Sequence, residues 1–318
     1  MIFKHIKISG IVLLCCLPLL LWGLKINNDN IMLLSKGNYF FEKTRNSPNV
    51  SSIVLKFDDK KTISINKINE LWRIKEADDY YASFAKINSL VLLIRNTIIH
   101  RADAIRKNDE LHKKNKKIVI QSIDDDGNIV DEATIFEKEQ NNKNHYATLN
   151  NDNFLYQIKG NFDISSNPMD WVQMPILKIA NKEIQEIKCD KFSVYRQYAE
   201  DRFIDNKTHN GVNHIDSFIN ALWYLSGNNV IHSVNFKQKN YLKLRKYEVK
   251  LFNGIIYEIT FYQNKEDSKK YVVNDELKKN LLMSKEGAKW LEENSVLYRG
   301  WFFEISSDIG EILATFSV

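Results

Sequence analysis

The stretch Tyr247-Glu248-Val249-Lys250-Leu251-Phe252-Asn253-Gly254-Ile255-Ile256-Tyr257-Glu258-Ile259-Thr260-Phe261-Tyr262 decides how the chain folds. Apolar and polar residues alternate on both sides of Asn253-Gly254, which is the period of a strand with one buried face. Asn-Gly tolerates the positive φ angles of a tight turn, so the two runs form an antiparallel hairpin. Upstream, Lys117 to Ser122 and Ile129 to Phe136 flank Asp126-Gly127 and spell a second hairpin of the same kind.

The same order of elements surrounds each hairpin. Before the first come Ser52 to Phe57, Thr62 to Ile65 and Leu71 to Ile74, then a helix predicted over Asp79 to Ile98 with Tyr80, Phe84, Ile87, Val91 and Ile94 on its apolar face. Before the second come Glu186 to Lys188 and Phe192 to Tyr195, then a helix predicted over Asn213 to Leu225 carrying Ile215, Phe218, Ile219, Leu222 and Leu225. Each hairpin is followed by a short strand (Tyr146 to Leu149; Lys270 to Val273) and an aromatic one (Phe154 to Ile158; Trp301 to Ile305). The expectation is an α+β protein of two tandem repeats, residues 51–175 and 176–318, each an antiparallel sheet with a helix packed on one face through Phe84 or Phe218.

Far from the hairpins, Ile6 to Ile26 is apolar apart from Lys7 and Lys25. Its uncharged core, Ile8 to Leu24, is long enough to cross a bilayer as a helix, with Trp22 and Lys25 as the far anchor. Lys4 and Lys7 precede it and keep the N-terminus cytoplasmic. The rival is a cleaved signal peptide, but the first small-x-small site, Ser35-Lys36-Gly37, lies too far downstream. Leu13-Leu14 before Cys15-Cys16 also argues against a lipoprotein site. We therefore expect a cytoplasmic tail over 1–7, an uncleaved single-pass transmembrane helix over 8–26, a linker over 27–50, and the bulk of the chain outside the cytoplasm.

Composition bounds the function. Of 318 residues, 44% are hydrophobic, which permits packed cores, and only 11 are Gly, too few for glycine-rich phosphate loops. A net charge of +5 with interspersed signs is a solvated surface rather than a nucleic-acid footprint. Of three cysteines only Cys189 lies beyond the apolar run, so no disulfide staples the exported part.

Candidate sites are weak. Asp124, Asp125, Asp126 and Gly127 fail the calcium-loop register, which would place Ala133 where a bidentate carboxylate belongs. His209 and His214 have no third metal ligand by spacing. His100 and His232, at equivalent points of the two repeats, suit helix ends, where an imidazolium complements the dipole. No Gly-x-Ser-x-Gly elbow occurs, and a lone Cys189 on a strand is filler. The basic tracts Lys113 to Lys117 and Lys243 to Lys246 read as solvated, with contact to anionic lipid the other option. Trp223, Trp290 and Trp301 sit where core packing accounts for them. No catalytic residue, metal or cofactor is expected.

The anchor, Leu71-Trp72-Arg73-Ile74 leading through Ala77-Asp78 to Ser89-Leu90, Asp170-Trp171 before Ile184 to Ile187, Phe252 to Ile259 and Tyr298 to Ile305 together resemble the domain of unknown function 4340 family. That resemblance implies a bacterial inner-membrane protein whose partners include ABC-type transporter subunits, and a non-enzymatic accessory or scaffold role in the envelope. The alternative is an envelope hydrolase or a lipid- or glycan-binding protein with a site between the two repeats.

Overall fold

The computed structural model describes residues 37–104, 116–136, 144–177, 179–212, 215–223, 225–280 and 283–316. The expected tail and anchor at 1–26, and the linker as far as 36, lie outside them. Among the described residues no helix is long and apolar enough to cross a membrane.

These residues divide into two compact units. The first takes those up to Lys67 and those from Ala85 to Ser166; the second takes Ile68–Phe84 and everything from Asn167. In chain order the elements to residue 159 are α1 (Glu42–Asn46), β1 (Val50–Phe57), β2 (Thr62–Ile68), β3 (Leu71–Ile74), β4 (Tyr80–Tyr81), α2 (Phe84–Asn96), β5 (Ile98–Ala104), β6 (Lys117–Asp124), β7 (Ile129–Phe136), β8 (His145–Leu149) and β9 (Phe154–Lys159). Later come β10 (Ile184–Lys188), β11 (Ser193–Tyr195), β12 (Ile204–Asp205), α3 (Ile215–Trp223), β13 (Asn229–His232), β14 (Tyr241–Leu251), β15 (Ile255–Asn264), β16 (Tyr271–Lys279), α4 (Lys285–Asn294), β17 (Trp301–Ile305) and α5 (Ser307–Thr315).

In the first unit the strands run in the order β2-β1-β6-β7-β8-β9-β5, every neighbour antiparallel. Ile53 and Leu55, Ile63 and Ile65, Ile120, Ala133 and Ile135, and Ala147 are buried, as period-two alternation requires. Buried polar groups lie among them too, Asp131 the most enclosed on these strands. Asp131, 1% exposed, accepts from the Thr44 N–H and hydroxyl at 2.8 Å each and from Asn150 Nδ2 at 2.9 Å, which pins α1 to the sheet.

The second unit's sheet runs β12-β11-β10-β14-β15-β16-β17-β13, again antiparallel throughout. Its order from β11 to β13 is that of the first sheet from β2 to β5, strand for strand. Tyr247, Val249, Ile259, Phe261, Val273 and Phe303 fill its buried face. Glu258, on the other face, bridges Lys246 at 2.8 Å and Lys278 at 2.6 Å across three strands.

Two large antiparallel sheets make the protein mainly β, which overturns the expected α+β class. The first helix is where the expectation fails most clearly. Asp78 and Asp79 adopt left-handed conformations, φ 54° and 61°, so no helix starts there; Tyr80–Tyr81 pair with Arg73 and Ile74 as β4 instead. The β-branched run Thr97-Ile98-Ile99 leads into β5 rather than prolonging α2. Phe84, expected against the sheet, is 77% exposed; Ile87, Leu90 and Ile94 are the buried positions of α2. In the second unit α3 does lie on its sheet, with Phe218 fully buried and its ring 4.7 Å from Tyr247.

Candidate functional site

β11 ends at Tyr195, and the next residue organises the loop that follows. Arg196 is 5% exposed and donates through Nε to Ile184 O at 2.8 Å, through Nη1 to Ala199 O at 2.8 Å and through Nη2 to Asn181 O. Its guanidinium also stacks over Phe203 at 4.5 Å. Burial draws its pKa down, opposed by the charges of Glu200 and Asp201. One buried cation thus ties the loop at Ala199 to the carbonyls of Asn181 and of Ile184 at the start of β10. Tyr198, whose N–H donates to Asp201 Oδ2 at 2.9 Å, is held on top of this knot with 61% of its surface in solvent. Beside it Phe252, 38% exposed, follows β14 and donates its N–H to Glu183 O at 3.0 Å. Tyr198 and Phe252 line a shallow groove of about 450 Å³ with Gln197, Leu251, Lys182 and Glu200. An exposed aromatic thus stands beside mixed charges on a loop whose backbone is tied down.

The first unit holds a larger cleft, of about 640 Å³, where β1, β6, β7 and β8 reach one end of the sheet. Phe57, Ile118, Ile135, Phe136 and Phe162 make its floor, and Asp58, Asp59, Asp163, Lys116 and Lys117 its rim. The Lys117 N–H donates to Asp58 Oδ2 at 2.7 Å; the Lys61 ammonium, 2.8 Å from Asp59, holds that carboxyl below its usual range. His145 Nδ1 lies 3.0 Å from Phe136 O, which makes that nitrogen the protonated one. The ring stands edge-on to Phe162, centroids 5.3 Å apart, and the hydrogen bond fixes its position in the wall.

No family model, curated protein or solved structure matches the chain.

The residues singled out in the sequence are dispersed rather than gathered. Asp124 closes the β6–β7 turn: its carboxylate accepts from the N–H groups of Asn128 at 2.8 Å and Asp126 at 3.1 Å, and these bonds lower its pKa. Gly127 carries the positive φ of 83°. His209 is exposed in the loop after β12, and His214 lies outside the described residues. Among the described residues no three His, Cys, Asp or Glu group to hold a metal. Cys189 is a half-buried free thiol in the β10–β11 turn, where its sulfur accepts from the Lys191 N–H at 3.4 Å.

Contrary to expectation, His100 and His232 do not close helices but stand in strands, because the chain turns extended before reaching either. His100 is exposed in β5; His232 ends β13 with its ring edge-on to Trp301, centroids 4.7 Å apart. Trp301 is buried and Trp290 half-buried, but Trp223 is 50% exposed at the end of α3, contrary to expectation, because it sits on the face opposite Phe218 and Leu222. In the second basic tract Arg245 donates to Tyr247 Oη at 3.3 Å and Lys246 pairs with Glu258. Of the first tract, Lys113 to Asn115 lie outside the described residues, while Lys116 and Lys117 rim the cleft.

One group escaped sequence reasoning although it left a signal. Asp275 occupies the buried phase of β16, two residues beyond Val273, and is fully buried, with no hydrogen-bond partner for either carboxylate oxygen among the described residues. Desolvation pushes its pKa well above the carboxylate range, and burial likewise raises the pKa values of the neighbouring Tyr80, Tyr257 and Tyr298. Arg196 and Tyr198 left no signal, because a loop has no periodicity to violate.

Proposed function

We propose that the chain is a membrane-anchored exported module without catalytic chemistry of its own, which holds protein partners as an accessory or scaffold of an envelope ABC-type export system. Its anchor would be the apolar run over 8–26, in the bacterial inner membrane with the N-terminus cytoplasmic. The observation that carries the reading is Tyr198, exposed beside Phe252 on a loop whose backbone is tied by Arg196 through Ala199 O and by Asp201 through the Tyr198 N–H. An aromatic fixed before binding loses little conformational freedom on contact, so it contributes more affinity than a mobile side chain of equal area. A photocrosslinking residue at position 198 of the full chain, activated in intact membranes, should give a covalent adduct with a transporter subunit, identified by mass spectrometry. Tyr198→Ala should cut co-purification of that subunit from mild detergent about tenfold or more, the expectation for an interface anchor. Unchanged co-purification would refute the reading.

A lipid- or glycan-binding role is favoured by one separate observation, the 640 Å³ cleft of the first unit, which has an apolar floor, a charged rim and the volume of ordinary ligand pockets. Native mass spectrometry of the full chain from membranes would reveal a retained small molecule, and Phe162→Trp, which narrows the cleft, should weaken its retention.

A further inference from the structure

In the first unit α1 and α2 end against each other. Arg45 Nη1 donates to Arg95 O at 2.8 Å and to Asn96 Oδ1 at 3.4 Å, while Arg95 Nη2 donates to Arg45 O at 3.0 Å. Each guanidinium caps the C-terminal carbonyls of the other's helix, where a cation is favoured. Among the described residues neither is paired with a carboxylate. A guanidinium has five N–H groups in a planar fork, so after these bonds the Nε–Nη2 edge of Arg45 and the Nη1 group of Arg95 remain for an external acceptor. An Nε–Nη2 edge is the two-donor arrangement that matches a phosphate.

The surroundings are apolar and exposed. Arg45 lies over the Tyr39 ring at 3.5 Å; Tyr39 is 39% exposed and bridges Ile98, itself 37% exposed. Leu92, one turn before Arg95 on α2, is 49% exposed. Lys43 adds a cation, Glu42 is the acid of α1, and Arg101 is neutralised by Asp103 at 2.8 Å. Unpaired guanidiniums set among a tyrosine and two aliphatic side chains match the boundary between headgroups and acyl chains.

We infer that this face lies on the anionic phospholipid surface beside the chain's own anchor, with Arg45 and Arg95 on headgroup phosphates and Tyr39, Leu92 and Ile98 entering the interface. The inference rests on the anchor reading proposed above. Gly37 donates its N–H to Ile99 O, so the tether enters the unit at this face. From Lys25 to Gly37 the chain spans at most about 40 Å. A tether that short holds the face near the membrane at high effective concentration, so a few contacts suffice.

The test is amide hydrogen exchange of the full chain in nanodiscs of phosphatidylcholine alone or mixed with phosphatidylglycerol. Peptides covering 38–46 and 92–99 should exchange about fivefold or more slowly with the anionic lipid, the effect of one arginine or more at a charged surface. High salt should remove the difference, Arg45→Gln with Arg95→Gln should abolish it, and the double Lys variant should keep most of it. Equal exchange in both nanodiscs, with the chain still embedded after an alkaline wash, would overturn the inference while leaving the anchor reading intact. Release of the chain by the wash would overturn both. Equal protection by soluble inorganic phosphate, or by an acidic peptide, in phosphatidylcholine discs would assign the arginines to another anion and overturn the lipid reading.

Discussion

Tyr80 and Trp301 meet edge to face in the second unit, their ring centroids 5.1 Å apart, and Phe303 receives the same tyrosine at 5.3 Å. This contact explains why the segment 68–84 clusters with residues far along the chain rather than with its sequence neighbours. Asp78 reinforces it by accepting from the His232 N–H at 3.0 Å and from Asn235 Nδ2 at 3.1 Å. The Tyr80 hydroxyl donates to Leu297 O at 3.2 Å.

Removing the ring that Tyr80 rests on should be costly. Trp301 is 3% exposed, so Trp301→Ala should lower unfolding stability by about 3–5 kcal/mol, through lost burial and the cavity left behind. Tyr80→Phe keeps the ring and loses one hydrogen bond, a cost of about 1 kcal/mol. Urea unfolding of both variants gives the comparison, and equal costs would mean that the hydroxyl, not the packing, secures the segment.

Asp275 should make the fold sensitive to alkali. Its pKa is raised in the folded state above an unfolded value of about 3.9, so the folded chain binds the extra proton. Stability from this group is fully present below about pH 4 and declines as pH rises toward the folded pKa, by at most about 1.4 kcal/mol per pH unit. Asp275→Asn carries no proton to lose and should gain on the native chain with each step from pH 5 to pH 8. Parallel stability curves for the two proteins would show that the carboxyl is not protonated in the fold.

Phe84 and Phe218 hold equivalent places in the sequence pattern and opposite places in the structure. Phe218→Ala, at a fully buried position in contact with Tyr247, should cost about 3–5 kcal/mol. Phe84→Ala, at 77% exposure, should stay within about 0.5 kcal/mol. Thermal unfolding of both separates them.

The two hairpin glycines should also part company. Gly127 at φ 83° has nothing within 4 Å of an added Cβ among the described residues, so Gly127→Ala should cost about 1 kcal/mol of backbone strain alone. At Gly254, φ 87°, the same Cβ would stand 2.5 Å from Met283 Cα, so Gly254→Ala must also displace backbone and should cost more. Midpoints of urea unfolding, read side by side, check the order.

Much of the sheet was legible in advance because alternation and turn chemistry are local. Asp126-Gly127 and Asn253-Gly254 each mark a real hairpin, and the runs beside them are β6, β7, β14 and β15. The first helix was misplaced because Tyr80, Phe84, Ile87, Val91 and Ile94 satisfy a helical period while Asp78-Asp79 turn the chain left-handed and Trp301 and Phe303 claim Tyr80. The groove at Tyr198 was illegible, since what fixes it is a buried arginine reaching carbonyls from residue 181 to residue 199.

By itself, then, the sequence determined the strands beside the two tight turns, the turns themselves, the order in which elements recur and the single thiol beyond the apolar run. Those follow from side-chain period and φ preference, which act over a few residues. Only the tertiary structure decided which of two phenylalanines is buried, that 68–84 joins the second unit, that Asp275 lies in the core, and that Arg45 and Arg95 cap one another's helices. Each of these is a contact between distant parts of the chain, and its free energy depends on what surrounds the residue after folding.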